Sequence, residues 1–138
     1  HSGKIIQIES VQRRFTKRLP GLKNVKYKDR LEQLRLETLE MRRLRQDLIF
    51  SYKVIFGLVN NACNDLFTLS NSAIPTRGHA FKLYKRHSRV DSRMHFFAER
   101  IIHPWNSLPA KNEHFNSLAT FKSFIKSVNL TNFVSLGF

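Results

Sequence analysis

Four histidines, His79, His87, His95 and His103, fall eight residues apart, and imidazole is the commonest metal-ligating side chain. Ligand geometry is demanding, however, and no carboxylate or thiol stands at ligand spacing beside them. They are expected to be satisfied surface or turn residues, and no metal or cofactor is expected. Cys63 is the only cysteine, so no internal disulfide can form and a reducing, intracellular compartment is expected. Nothing next to it would lower its pKa, which argues against a thiol nucleophile. Asp29, Asp47, Asp65 and Asp91 are scattered singly, unlike a two-metal carboxylate cluster. Gly78 reads as a turn glycine, and no phosphate-binding loop is present. The chemistry the side chains do offer is cationic. Arg77, Lys82, Lys85, Arg86, Arg89 and Arg93 crowd between positions 77 and 93, interleaved with Phe81, Tyr84 and Phe96. Cations meet phosphates and aromatic faces stack on bases. Aromatics also dominate cores, so Phe81, Phe96, Phe97 and Trp105 are assigned to packing and Tyr84 to stacking.

The bulk composition points the same way. Of 138 residues, 24 are Lys or Arg and 10 are Asp or Glu, a formal charge of +14. Such an excess repels itself in a compact chain, so a polyanionic partner is implied: nucleic acid first, an anionic membrane surface or an acidic protein after it. With 41% hydrophobic residues and twelve Phe, the chain has the material for a core and fits one domain, 1–138. No apolar run reaches membrane-spanning length. The His-Ser-Gly-Lys start is not a signal peptide and reads as a cloning remnant or a cut end.

The elements that must position these cations are mostly helical. The spacing predicts one long central helix from Thr38 to about Asn60, with Met41, Leu44, Leu48, Tyr52, Ile55 and Val59 in one stripe. Its first half carries Arg42, Arg43 and Arg45 and stays wet. Its second half adds Ile49, Phe50, Val54 and Phe56 and should be buried all round. Thr38 is the expected N-cap, and Gly57 with Asn60–Asn61 the exit. An earlier helix, Ile5 to about Leu19, lines one face with Ile5, Ile8, Val11, Phe15 and Leu19. Arg13, Arg14, Lys17 and Arg18 cover the rest without acidic partners after Glu9. Pro20-Gly21 ends it, a basic link follows from Lys23 to Lys28, and Asp29 to Leu36 is a short helix. Asn60 to Ser72 reads as a loop. Ala80–Arg86 alternates as a strand, His87–Ser92 as a turn and Met94–Phe97 as a second strand, giving a β-hairpin. Ala98–Asn106 is a short helix in which Pro104 either makes a kink or marks the start. The last helix starts at Ser117 and buries Leu118, Phe121, Phe124, Ile125 and Val128. The expected fold is therefore mainly α, a helical bundle around one long central helix with a small two-stranded hairpin.

Several stretches resemble the C-terminal, thumb and post-thumb, region of non-LTR retrotransposon reverse transcriptases of the CR1- and jockey-like kind. They are Ile8–Lys17, Arg18–Leu22, Leu39–Ile49, Tyr52–Ile55, Thr76–His79, Phe96-Phe97, Trp105–Pro109 and Phe121-Lys122, in that order over most of the chain. The resemblance implies an RNA-directed DNA polymerase as the parent protein, a nuclear location, and a segment that contacts template RNA, primer–template duplex or target DNA. It does not imply catalysis by this piece, because the family's paired aspartates are not in the sequence. One cysteine also cannot build the zinc knuckle that some relatives carry. Arg13, Arg14, Lys17, Arg18, Arg42, Arg43, Lys82, Tyr84, Lys85, Arg86 and Arg89 are the expected contacts to RNA or DNA. The rival reading is a structural domain that buttresses the polymerase thumb, its partner being the remainder of the reverse transcriptase chain and not nucleic acid.

Overall fold

The structure is a computed structural model. It describes residues 2–59, 67–70, 77–85 and 92–134, with the backbone alone at 2, 5, 85 and 92–96. Among these the chain is mainly helical: α1 (Ser2–Lys17), α2 (Tyr27–Leu34), α3 (Leu39–Ile55), α4 (Ser92–Asn106) and α5 (Leu118–Ser127). Two short strands, β1 (Phe67–Leu69) and β2 (Leu83–Lys85), pair antiparallel. Among the described residues no helix is long and apolar enough to cross a membrane. The backbone divides into two compact units, His1–Leu44 with Leu130–Phe138, and Arg45–Asn129. The boundary falls within α3.

In the first unit α1 reverses the expectation for its faces. Ile8, Val11 and Phe15 are exposed, whereas Glu9 and Thr16 are buried. The buried face is polar because it is a hydrogen-bond network docked on α2 and the start of α3. Glu9 Oε2 accepts the Leu39 amide at 2.9 Å, where a carboxylate complements the positive N-terminal end of α3. The Tyr27 hydroxyl donates to Glu9 Oε1. Gln12 Nε2 donates to the Tyr27 hydroxyl and to the Glu37 carbonyl at 3.1 and 3.0 Å. Thr38 caps α3 as expected, its Oγ1 accepting the Met41 amide at 3.2 Å. Helix α2 begins at Tyr27, two residues before the expected Asp29. It ends on Arg35 in the left-handed region, φ +53°.

The second unit is built on aromatic packing. Leu48, Ser51, Tyr52 and Val54 on α3 are buried, and the Tyr52 ring stacks on Phe121 of α5 at 4.6 Å. Helix α3 stops at Ile55, earlier than expected. Gly57 adopts φ +69°, with the Leu58 amide bonded to the Lys53 carbonyl and the Gly57 amide to the Val54 carbonyl, the glycine-terminated cap of many helices. Ser117 caps α5 through the Thr120 amide at 3.1 Å, as its residue type implies. Arg45 donates to the carbonyls of Ile125 and Val128, placing a cation at the negative end of α5.

The hairpin expectation fails in its second strand. Residues 94–97 lie in helix α4, whose buried Ala98, Ile101 and Trp105 recur at helical spacing. Pro104 sits inside that helix near its end. The partner of β2 is instead β1, with Phe67 opposite Lys85, Thr68 opposite Tyr84 and Leu69 opposite Leu83. Phe67–Leu69 is thus a strand where a loop is expected. The expected turn at 87–91 lies outside the described residues, as do Asn60–Asn61 and Cys63. The other edge of β2 is closed by one side chain. The Leu83 amide donates to Asn106 Oδ1, and Asn106 Nδ2 donates to the Leu83 carbonyl, both at 2.8 Å. The carboxamide of Asn106 therefore acts as a third strand one residue long.

Candidate nucleic-acid interface

Among the described residues, the densest grouping of expected contact residues is at the C-terminal end of α1. The helix runs out at Lys17, and the chain turns through bonds from the Arg18 amide to the Phe15 carbonyl and from the Leu22 amide to the Leu19 carbonyl. Gly21 supplies a φ of +77° that other residues disfavour. Buried Leu22 fixes the turn to the unit. This geometry opens a cleft of about 480 Å³ lined by Arg14, Lys17, Arg18, Leu19, Pro20, Gly21 and Lys23. Four of the seven lining residues are cations, none is a carboxylate, and all four cations are exposed. Lys23, in the basic link that follows α1, belongs to the site. The Pro20-Gly21 turn that folds it back was the available signal.

Arg30 of α2 is buried, 4% exposed, against the end of α1. Its Nε donates to Thr16 Oγ1 at 3.1 Å, one terminal nitrogen to the Val25 carbonyl at 2.6 Å, and the other to the Arg13 carbonyl at 3.0 Å. One guanidinium thus holds the last turns of α1 and the loop after it in fixed relation. Nothing in the sequence distinguished Arg30 from the other cations.

The remaining expected contacts are placed as follows. Arg13 is exposed but stands 4.8 Å over the Tyr27 ring, a cation–π contact. Arg42 and Arg43 are exposed on the first half of α3, as expected. Lys82 is a correction. It is half-buried, its ammonium donates to the Asn106 carbonyl, and burial lowers its pKa from the usual lysine value. The same ammonium lies 3.1 Å from where a Cβ on Gly78 would stand. Gly78 therefore makes room for a tethered lysine, besides turning the chain at φ +91°. Tyr84 is 53% exposed on β2, free to present its ring. Lys85 is in β2, and Arg86 and Arg89 lie outside the described residues.

His79 has a structural role. It is 1% exposed. Its Nδ1 accepts the Phe81 amide at 3.2 Å, so Nε2 carries the proton and donates to the Trp105 carbonyl at 2.9 Å. Burial lowers its pKa below the usual 6.5. Such a ring is a structural bridge, with both nitrogens used. Among the described residues no three His, Cys, Asp or Glu gather closely enough to hold a metal ion.

Tyr27 carries a testable electrostatic signature in the first unit. Burial, then its hydrogen bond to Glu9, pushes its pKa from 10.0 up to about 12. The folded chain holds that proton more tightly than the unfolded chain does. The resulting stabilisation is complete below pH 10 and disappears as pH rises through about 12. Urea melts at pH 9 and above pH 11 should show an alkaline loss of stability that is smaller in Tyr27→Phe, the remainder coming in part from Tyr52, whose pKa burial also raises. An equal loss in the variant would mean the phenol is not the group responsible.

Comparison of the chain with protein-family models, curated proteins and solved structures finds no match.

Proposed function

We propose that this chain binds RNA or DNA through the cationic end of α1, as the non-catalytic C-terminal segment of a retrotransposon reverse transcriptase. The observation that carries the binding reading is the cleft at Arg14, Lys17, Arg18 and Lys23, which gathers four cations with no carboxylate to neutralise them. A sugar–phosphate strand supplies the missing charge, and its affinity comes from counterion release. The parent polymerase is supported by the sequence resemblance alone. Arg42, Arg43, Tyr84 and Lys85, with Arg86 and Arg89 beyond them in sequence, remain the further candidate contacts to template RNA, primer–template duplex or target DNA.

Fluorescence anisotropy with labelled RNA and DNA at two salt concentrations tests this. Four phosphate contacts predict roughly a hundredfold loss of affinity between about 50 and about 200 mM salt. Replacing Arg14 and Arg18 by Gln should reduce the slope of log K against log salt by about two. Binding that ignores salt, or no binding at all, removes the proposal and leaves the structural, thumb-buttressing role.

A further inference from the structure

Besides Ile6 at 60% exposure, helix α1 turns three large apolar side chains to solvent along one face, Ile8, Val11 and Phe15, at 55, 62 and 63%. Phosphate binding gives them no role. Their spacing is four and three residues, and Lys4 and Arg18 continue it in both directions. The result is one heptad seam, Lys4, Ile8, Val11, Phe15 and Arg18, of the width that a single partner helix covers. It is narrower than the apolar arc of ≳ 100° expected of a surface helix facing a core, and the neighbouring Gln7 and Ser10 are polar, which does not suit insertion into lipid. It offers one aromatic ring and two branched aliphatics, which do not form a stacking platform for bases. A second copy would bring another charge of +14 against this one.

The charges around the seam select the partner. The only carboxylate of α1, Glu9, is buried on the opposite side. Lys4, Arg14 and Arg18 are exposed along the seam and its border. Beside Ile8 a dent of about 40 Å³ continues the apolar surface onto Leu39, where one acid, Glu40, and one cation, Arg43, also line it. The cationic bias is therefore strongest toward the C-terminal end. We infer that the Ile8–Val11–Phe15 seam is a docking site for an acidic amphipathic helix, one with apolar residues at heptad spacing flanked by Asp or Glu. This site borders the phosphate cleft and shares Arg14 and Arg18 with it, but its apolar anchors Ile8, Val11 and Phe15 do not line the cleft.

The test uses the whole chain and two synthetic three-heptad peptides with the same Leu seam, one flanked by Glu and one by Lys. The Glu-flanked peptide should bind, and bind at least about tenfold more tightly than its Lys counterpart. Val11→Ser and Phe15→Ser should each weaken it about tenfold, the usual cost of losing an interface anchor. RNA affinity should stay the same in both variants. These side chains are exposed, so far-UV circular dichroism should be unchanged, and the comparison of the two peptides needs no variant. Equal or absent binding of the peptides overturns the inference. So does a dimer abolished by Val11→Ser, or a loss of RNA or anionic-vesicle binding in either variant.

Discussion

Trp105→Ala should cost about 3–5 kcal/mol of stability, the range for truncating a large buried aromatic. The indole is fully buried. It packs against Phe121 and Phe115 at 5.4 and 5.5 Å between ring centres and meets His79 edge-on. Its Nε1 donates to the Phe81 carbonyl at 2.7 Å, and its own carbonyl takes the His79 ring. One residue therefore joins α4, α5 and the segment that leads into β2. Trp105→Phe would keep most of the packing while leaving the Phe81 carbonyl without its donor, at about 1–3 kcal/mol. Urea denaturation followed by circular dichroism separates the two contributions. A Trp105→Ala variant within about 1 kcal/mol of the parent chain would mean that the ring cluster is not the core it resembles.

The same neighbourhood explains why the sequence pattern Trp105-Asn106-Ser107-Leu108 stands out for reasons of packing. Trp105 and Leu108 are buried, and Asn106 closes the free edge of β2. In Thr76–His79, Gly78 accommodates Lys82 and His79 bridges Phe81 to Trp105. Residues that look like site signatures are thus occupied in holding the second unit together.

Elements with strong periodicity were legible from sequence alone. The stripe of α3, its Thr38 cap and Gly57 exit, and α5 with its Ser117 cap follow from spacing and capping chemistry that act locally. The failures have one physical cause, which is that the deciding partner is distant in sequence. The alternation of residues 80–86 announced a strand but could not say that Phe67–Leu69 would pair with it. A three-residue strand leaves no pattern of its own. Apolar residues on α1 formed a stripe, yet Glu9 finds the Leu39 amide and Arg30 reaches Arg13 and Thr16, so the polar face is the one that packs. Lys82 reads as an outward cation until Asn106 supplies a carbonyl. Of the candidate interface, the charge was plain and the gathering of Arg14, Lys17, Arg18 and Lys23 was not, because it depends on how the turn at Pro20-Gly21 folds back.

Arg30→Ala should cost about 2–4 kcal/mol and also weaken RNA binding, although Arg30 is too buried to touch a phosphate. Removing the guanidinium strips donors from three acceptors, the Thr16 hydroxyl and the Arg13 and Val25 carbonyls. Each acceptor left dry costs about 1–3 kcal/mol, partly offset because a buried charge no longer needs to be desolvated. The binding effect follows from position. Arg13 and Thr16 belong to the last turns of α1, and Val25 to the loop that carries Lys23 back, so the fork sets the distance between the cations on either side of the cleft. Arg30→Lys keeps the charge but replaces a planar fork by a point donor, so it should recover only part of the stability and little of the affinity. Denaturation and anisotropy on the same samples, at a temperature where every variant is folded, distinguish the possible roles. A variant that is less stable yet binds RNA unchanged would make Arg30 a structural residue only. Loss of affinity in a fully folded Arg30→Lys would identify the spacing of the cations, and not their number, as what the phosphate strand reads.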